Sequence, residues 1–353
     1  MKISSLGICR LSPAVLHYRM LFSTRVFSAP QAGFRRVRFS SAILGGLAAM
    51  AWLGGCATVS DRPGDGKTAR DETVKLQIVL DAWKFGPGVV DGHRGEFTDK
   101  ALEFYREAKG LPKGYLPDTS NIQPYTTYTI TAEDKAMIGT MAEKPEELAK
   151  QKRLPYVSMA ELLGERFHTT PGFLAELNPG VNIEALPVGA VVKVTNVHRP
   201  FRVGDYPSAY PAAPKSVASI RHVYVDTKTR MLEVRDSGKL IAAFPITPGS
   251  EEHPAPLGDW KVVKAVPWPW YRYDEGVLER GERTKVYYML PPGPNSPVGI
   301  LWTGLNRPGI GIHGTTSPDT IGRAGSHGCI RLSNWDAATF YTLVQKNVPV
   351  TIR

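Results

Sequence analysis

The sequence predicts a multidomain, mainly β protein, and three observations carry that reading. From residue 216 to 353, short strand-forming runs recur with turn signals between them: RHVYVDTKTRMLEV, KLIAAFPITPG, GDWKVVKAV and GILWTGL. That pattern predicts a C-terminal β-sandwich or barrel-like domain. Between residues 73 and 115, apolar residues twice repeat at helical spacing, which predicts a small α-helical domain. Residues 125–196 read strand–helix–helix–strand, a βααβ module. A chain of 353 residues has room for more than one core.

The N-terminal segment comes first in chain order. Residues 1–55 hold Lys2, Arg10, Arg19, Arg25, Arg35, Arg36 and Arg38 and no acidic residue, and residues 39–53 are uncharged and apolar. A basic stretch, a short apolar core and then small residues are the layout of a secretory signal peptide. The apolar run is shorter than the ~20 residues a spanning helix needs. A start at Met20 would shorten the basic stretch without changing this layout. Leu53-Gly54-Gly55-Cys56 resembles the bacterial lipoprotein signal, which implies lipidation at Cys56 and export to the periplasm or cell envelope. The lipid would be the chain's only membrane attachment. Ala57 after the cysteine, in place of Asp, implies the outer membrane. Seven of the ten net positive charges precede Cys56, leaving +3 on the exported chain. The basic balance is therefore an export signal, and no nucleic-acid partner is expected. Residues 56–72, polar and Gly-containing, read as a flexible tether.

Leu76, Val79, Leu80 and Trp83 follow at i, i+3, i+4, i+7 as one helix face. Thr98 then reads as an N-cap to Ala101, Phe104, Tyr105 and Ala108, and Gly110 as the helix end. The stretch LQIVLDAWKFGPGVVDGHRGEFTDKALEFYREAKGLP resembles the helical peptidoglycan-binding domain of cell-wall enzymes. It keeps that family's landmarks at Gly88, Asp91-Gly92, Gly95, Thr98 and Gly110-Leu111, with Tyr105 where the family has Phe. A purely structural packing module is the alternative. In the next module, Tyr128-Thr129-Ile130, the helical stretch AELLGERFHTTPGFLAELNPG and the strand AVVKV resemble a LysM module. It departs from that family by an insertion at about residues 131–155.

In the C-terminal domain, GIGIH alternates. Ile310 and Ile312 fall on one face, and Gly311 and His313 on the other. On that face Gly311 precedes His313, and Gly314 follows it in the chain, leaving room for a ligand. Downstream comes Ser326-His327-Gly328-Cys329, and Ser333 with Asp336 fits a helix N-cap pairing. Cys329 would sit on a tight turn ahead of that helix, where amides and the helix dipole favour a thiolate. With Cys56 acylated, a cysteine kept in an exported chain is a candidate nucleophile. A base, a nucleophile and a donor cluster are the parts of an acyl-transfer site.

The segment IHGTTSPDTIGRAGSHGCIRL resembles the L,D-transpeptidase catalytic domain of bacterial cell walls. The likeness extends upstream through PLGDW, PWPWYRYD and PPGPNSPVG. It implies Cys329 as nucleophile, His313 as base and the Gly314 carbonyl as its orienter. The amides of Gly328 and Cys329 would make an oxyanion hole, and Ser326, His327 and Arg331 would shape the donor pocket. Trp270 and Tyr271, in a stretch where Pro267 and Pro269 oppose a regular strand, would close over the peptide as a lid. The substrate implied is a peptidoglycan tetrapeptide stem, with glycan contact by the N-terminal modules. A stem amine, water and a lysine of an outer-membrane lipoprotein stay open as acceptors, so L,D-carboxypeptidase activity and a non-catalytic wall-binding lipoprotein remain alternatives. No cofactor is implied. One Cys and two His lack a fourth ligand, so no metal is expected.

Overall fold

The computed structural model describes residues 65–323, 325 and 328–353. The expected signal segment, Cys56, the tether up to residue 64, Ser326 and His327 lie outside the described residues. Among those described, no helix is long and apolar enough to cross a membrane.

Helix α1 (Asp65–Ala82) begins inside the stretch read as a tether. Its polar first turns are docked. Arg70 Nε donates to the Asp91 carbonyl (3.1 Å), its Nη1 meets Glu176 (2.6 Å), and Asp71 accepts from the Tyr125 hydroxyl (2.7 Å). Composition alone does not distinguish a solvated linker from a helix held by its charged side chains. The helix buries two sides: Val74 and Ile78 join the large core, while Leu76 and Leu80 join a second cluster. The face expected from 76/79/80/83 is thus only partly internal. Trp83 is 50% exposed, edge-on to Tyr105 and under the Lys109 ammonium. Helix α2 (Glu96–Lys109) is capped by Gly95, not by Thr98. Thr98 is buried, and Gln77 Nε2 donates to its hydroxyl (3.3 Å). Gly110 ends the helix in the left-handed region (φ 64°), which glycine adopts without strain.

In the second module β1 (Tyr125–Thr129) pairs antiparallel with β2 (Val191–Thr195). Between them lie α3 (Ala132–Ala136), α4 (Pro145–Leu148), α5 (Met159–Arg166) and α6 (Pro171–Leu177). Side chains of Thr131, Ser158 and Thr170 cap α3, α5 and α6. Asn178 pins the turn after α6: its Nδ2 donates to the Leu174 and Lys193 carbonyls and its Oδ1 accepts from the Lys193 amide, each at 2.8 Å.

The C-terminal strands are β3 (Arg221–Asp226), β4 (Met231–Asp236), β5 (Lys239–Pro245), β6 (Gly258–Pro267), β7 (Tyr271–Tyr273), β8 (Tyr288–Leu290), β9 (Leu301–Leu305), β10 (Gly311–His313), β11 (Ile330–Arg331) and β12 (Pro349–Ile352). Eight of them form one continuous mainly antiparallel sheet, in the order β11-β10-β9-β6-β12-β3-β4-β5, which makes the C-terminal domain mainly β as the strand pattern predicted. Strand β6 explains the continuity. Its first half pairs with β12, its second half with β9, and the register shifts between Val262 and Lys264. Strands β7 and β8, joined through α7 (Glu275–Arg280), make a separate ribbon. Tyr271 to Tyr273 are therefore regular strand, despite the prolines before them. Helix α8 (Asn334–Tyr341) follows β11 and buries Trp335, Ala337, Ala338 and Phe340.

Both N-terminal modules share apolar core with this sheet. Phe85 forms a bridge to Ala243 on β5, and Leu76, Leu80, Leu102 and Tyr105 cluster with Met231, Leu240 and Ala243. The large cluster runs from Val74 through Leu163 and Phe173 to Ile312 and Phe340.

Candidate active site

The site is built by strand register. Antiparallel β9 sets Trp302 opposite His313, and parallel β11 sets Arg331 opposite His313 and Ile330 opposite Ile312. Alternation sends Ile312 and Ile330 (both fully buried) into the core. It leaves Trp302, Gly311, His313, Cys329 and Arg331 on the other face. The space beside His313, expected to stay open, is filled by Trp302. Its ring stacks on the imidazole (5.6 Å between centroids, 23° between planes). It also lies across Gly311, where a Cβ would come within 2.8 Å of the indole. Glycine at 311 therefore admits a ring that comes from another strand. His313 is only 4% exposed.

His313 Nδ1 lies 2.7 Å from the Gly314 carbonyl. A carbonyl can only accept, so Nδ1 carries the proton and Nε2 presents its lone pair. Burial pushes the His313 pKa down to about 4; the Gly314 bond opposes this and the nearby Arg331 charge adds to it. The imidazole is neutral at pH 7. Gly314 is itself locked in place, because a Cβ there would lie 2.2 Å from Asn334 Oδ1. Asn334 Oδ1 accepts from the Ile300 amide (3.2 Å), and its Nδ2 donates to Glu165 of the second module (2.7 Å) and to the Pro294 carbonyl (3.3 Å). Asn334, missed in the sequence, is thus the post behind the histidine's orienting carbonyl.

Cys329 follows Gly328, whose φ of 89° suits glycine. It enters strand β11, so the sulfur is not at the N-terminus of α8 as expected; that helix is capped by Ser333, which accepts from the Asp336 amide (3.2 Å). Its Sγ donates to the Gly309 carbonyl (3.4 Å) and accepts from the Gly311 amide. Burial raises the thiol pKa, outweighing the Gly311 amide and the Arg331 charge. At rest this sheet face therefore carries a thiol and a neutral imidazole, not the thiolate that the helix-end reading suggested.

Arg331 is half-buried. Its backbone pairs both ways with Thr247 (2.9 and 3.0 Å), its Nη1 donates to the Gly325 carbonyl (3.2 Å), and among the described residues no carboxylate lies at ion-pair distance from it. Burial raises the pKa of Tyr271 on β7; Cys329 is near enough to add to that shift and the Arg331 charge near enough to oppose it. It is the aromatic of the expected lid that the structure brings to the site. Trp270 is 58% exposed, and Trp268 Nε1 donates to the Tyr206 carbonyl (2.9 Å). Alongside runs an open cleft of roughly 660 Å³ lined by Arg331, Thr315, Thr316, Ser317, Asn295 and Met141, among others. A thiol, a base of fixed tautomer and a cation on a cleft can attack a carbonyl and hold an anionic peptide.

Residues 220–352 match the family of L,D-transpeptidase catalytic domains. The L,D-transpeptidase candidate YkuD of Bacillus licheniformis is 25% identical over 192 residues, covering 54% of this chain and 92% of that protein. The candidate YqjB of Bacillus subtilis is 26% identical over 136 residues, 37% of this chain and 70% of its own length. Among solved structures, an Enterococcus faecium L,D-transpeptidase aligns at 22% identity with a TM-score of 0.30, over 38% of this chain and half of that one. One from Mycobacterium smegmatis aligns at 19% identity with a TM-score of 0.31, over 48% and 76%.

Proposed function

We propose that this chain, with an L,D-transpeptidase catalytic domain at residues 220–352, is a wall enzyme that transfers acyl groups of peptidoglycan tetrapeptide stems through a thioester on Cys329. The observation that carries this reading is the neutral His313, its Nδ1 tied to Gly314 and its Nε2 available, on the same sheet face as Cys329. As sulfur attacks the carbonyl of the third stem residue, the thiol proton passes to Nε2. The tetrahedral oxyanion is received by the amides of Gly328 and Cys329. The bond to the terminal D-alanine breaks, and that amine leaves with the proton from His313. An imidazolium with a pKa near 4 is a strong acid, so it returns the proton readily; equally, a thiol of raised pKa must give its proton up in concert with attack.

An acceptor amine then attacks the thioester, its proton passes to His313, and the thiol is released with a 3→3 crosslink formed. A lysine amine of an outer-membrane lipoprotein would react the same way. Arg331 holds a stem carboxylate, Ser326 and His327 shape the donor pocket, and Tyr271 closes over the peptide, with Trp270 at its outer edge. The helical and βααβ modules hold the wall, and Cys56 supplies a lipid anchor in the envelope, at the outer membrane.

The test is muropeptide analysis after incubating the protein with tetrapeptide-rich sacculi. A crosslinked dimer is the expected product. Tripeptide alone would assign water as acceptor and make the enzyme an L,D-carboxypeptidase, and no product would leave a non-catalytic wall-binding protein.

A further inference from the structure

The insertion at residues 131–155 reaches the cleft beside the candidate site. We propose that its 140–142 loop is one wall of the substrate cleft, and that Met141 is a specificity-determining contact for the stem peptide. The identity of that peptide rests on the transpeptidase reading above.

Met141 is half-buried and lines the same cleft as Arg331, Thr315, Thr316, Ser317 and Asn295. Its loop is clamped on both sides by one side chain. Gln151 Nε2 donates to the Thr140 carbonyl (2.8 Å), and Gln151 Oε1 accepts from the Ala142 amide (3.4 Å). Just before it, Ile138 forms a bridge to Tyr156, and the Gly139 amide donates to the Tyr156 carbonyl (2.9 Å).

The loop's base is joined to the catalytic domain by backbone. The Leu154 amide donates to the Pro292 carbonyl (3.0 Å), and the Asn295 amide donates to the Leu154 carbonyl (3.2 Å). Asn295 Nδ2 donates to the Pro155 carbonyl (2.9 Å). The approach at Gly293 is so close that a Cβ there would lie 2.0 Å from the Leu154 carbonyl oxygen. Asn295 both lines the cleft and holds the module that carries Met141. The wall is thus anchored to the cleft, not laid against it by a flexible tether.

The lining chemistry suits one kind of ligand. Hydroxyls (Thr315, Thr316, Ser317) and an amide (Asn295) are among the lining groups, and these pair with the backbone of an extended peptide. Arg331 supplies the cation for a free carboxylate, and none of the lining residues is acidic. Met141 supplies a polarisable thioether that adapts to an aliphatic side-chain segment. A peptide with a free carboxylate and a run of methylenes meets all three.

Binding of a tetrapeptide stem is measured by calorimetry on the full chain carrying Cys329→Ala, so that turnover does not intervene. Met141→Glu in that background is expected to weaken binding by about tenfold, and Met141→Leu to keep it. Gln151→Ala, a positioning change, should weaken binding less and, with Cys329 present, raise KM with kcat unchanged. Equal affinity with and without Met141→Glu overturns the proposal, as does absence of stem binding to the parent. Product formation by the wild type is scored separately. Product with Met141-independent binding removes the wall and leaves the activity. Met141-dependent binding without product keeps the wall and removes the transferase reading.

Discussion

The chain from Gly328 to Asp336 serves two regions of opposite character. On one side, Cys329 and Arg331 sit with His313 at a sheet end beside an open cleft. On the other, the start of α8 seals a polar junction between modules. There His168 Nδ1 meets Asp81 (3.0 Å), the His168 ring stacks on Trp335 (5.1 Å, 9°), and Asn334 donates to Glu165. Both regions hold buried ionisable groups with displaced pKa values. Burial lifts Glu165 to about 8 and Asp336 to about 7, and lowers His313 to about 4. What separates them is the space in front of them: Asp81, His168, Trp335 and Asp336 line a small pocket of roughly 50 Å³, while Arg331 opens onto the far larger cleft. A displaced pKa marks a site only where substrate can arrive.

The largest expected effect breaks the open side. Cys329→Ala should reduce crosslinking by on the order of 10³-fold or more, and His313→Ala by on the order of 10²-fold or more, with far-UV circular dichroism unchanged in both. A Cys329→Ala protein that still forms dimer muropeptides would move the chemistry elsewhere.

Removing residues before 216 probes the sealed side. That deletion removes the apolar partners of Met231, Leu240 and Ala243, uncovering them, and takes Glu165 from Asn334. Loss of soluble yield or a fall in Tm is expected, in place of the freely active fragment that independent modules would allow. At the same junction, Asn334→Ala should cost about 2 kcal/mol in urea unfolding by stranding Glu165 and the Ile300 amide. It should also lower kcat by loosening Gly314.

The two regions also differ in pH dependence. Unfolded, Glu165 and Asp336 ionise near the ordinary carboxylate range; folded, they hold their protons to about 8 and about 7. Folding therefore takes up protons between those limits. Their contribution is full below about pH 4 and is lost as pH rises towards 8. Stability measured across that window should fall with pH, and Glu165→Gln should flatten the fall. Catalysis should run the other way: with His313 neutral down to about pH 4, the acid limb of kcat/KM should lie well below that of an ordinary histidine. Trp302→Ala is the subtlest probe, since it hydrates the imidazole and should move that limb up towards ~6.5. An unmoved limb would separate the titration from the stacking.

Short-range chemistry was legible in the chain. Alternation in GIGIH put Ile312 inward and His313 on the opposite face; Gly328 and Gly110 stood where φ is positive; Ser333 capped α8. Each depends on residues a few positions apart, whose geometry the backbone itself dictates. Other features belong to register and packing between distant segments. Trp302 meets His313 because β9 and β10 pair antiparallel, Cys329 joins them because β11 pairs parallel, and Asn334 fits only because Gly299 and Gly314 leave no Cβ in its way. The thiol's raised pKa followed suit, since desolvation comes from what the rest of the chain places around the sulfur. Periodicity says which face a side chain takes; only the packed fold decides what stands opposite it, and how dry that place becomes.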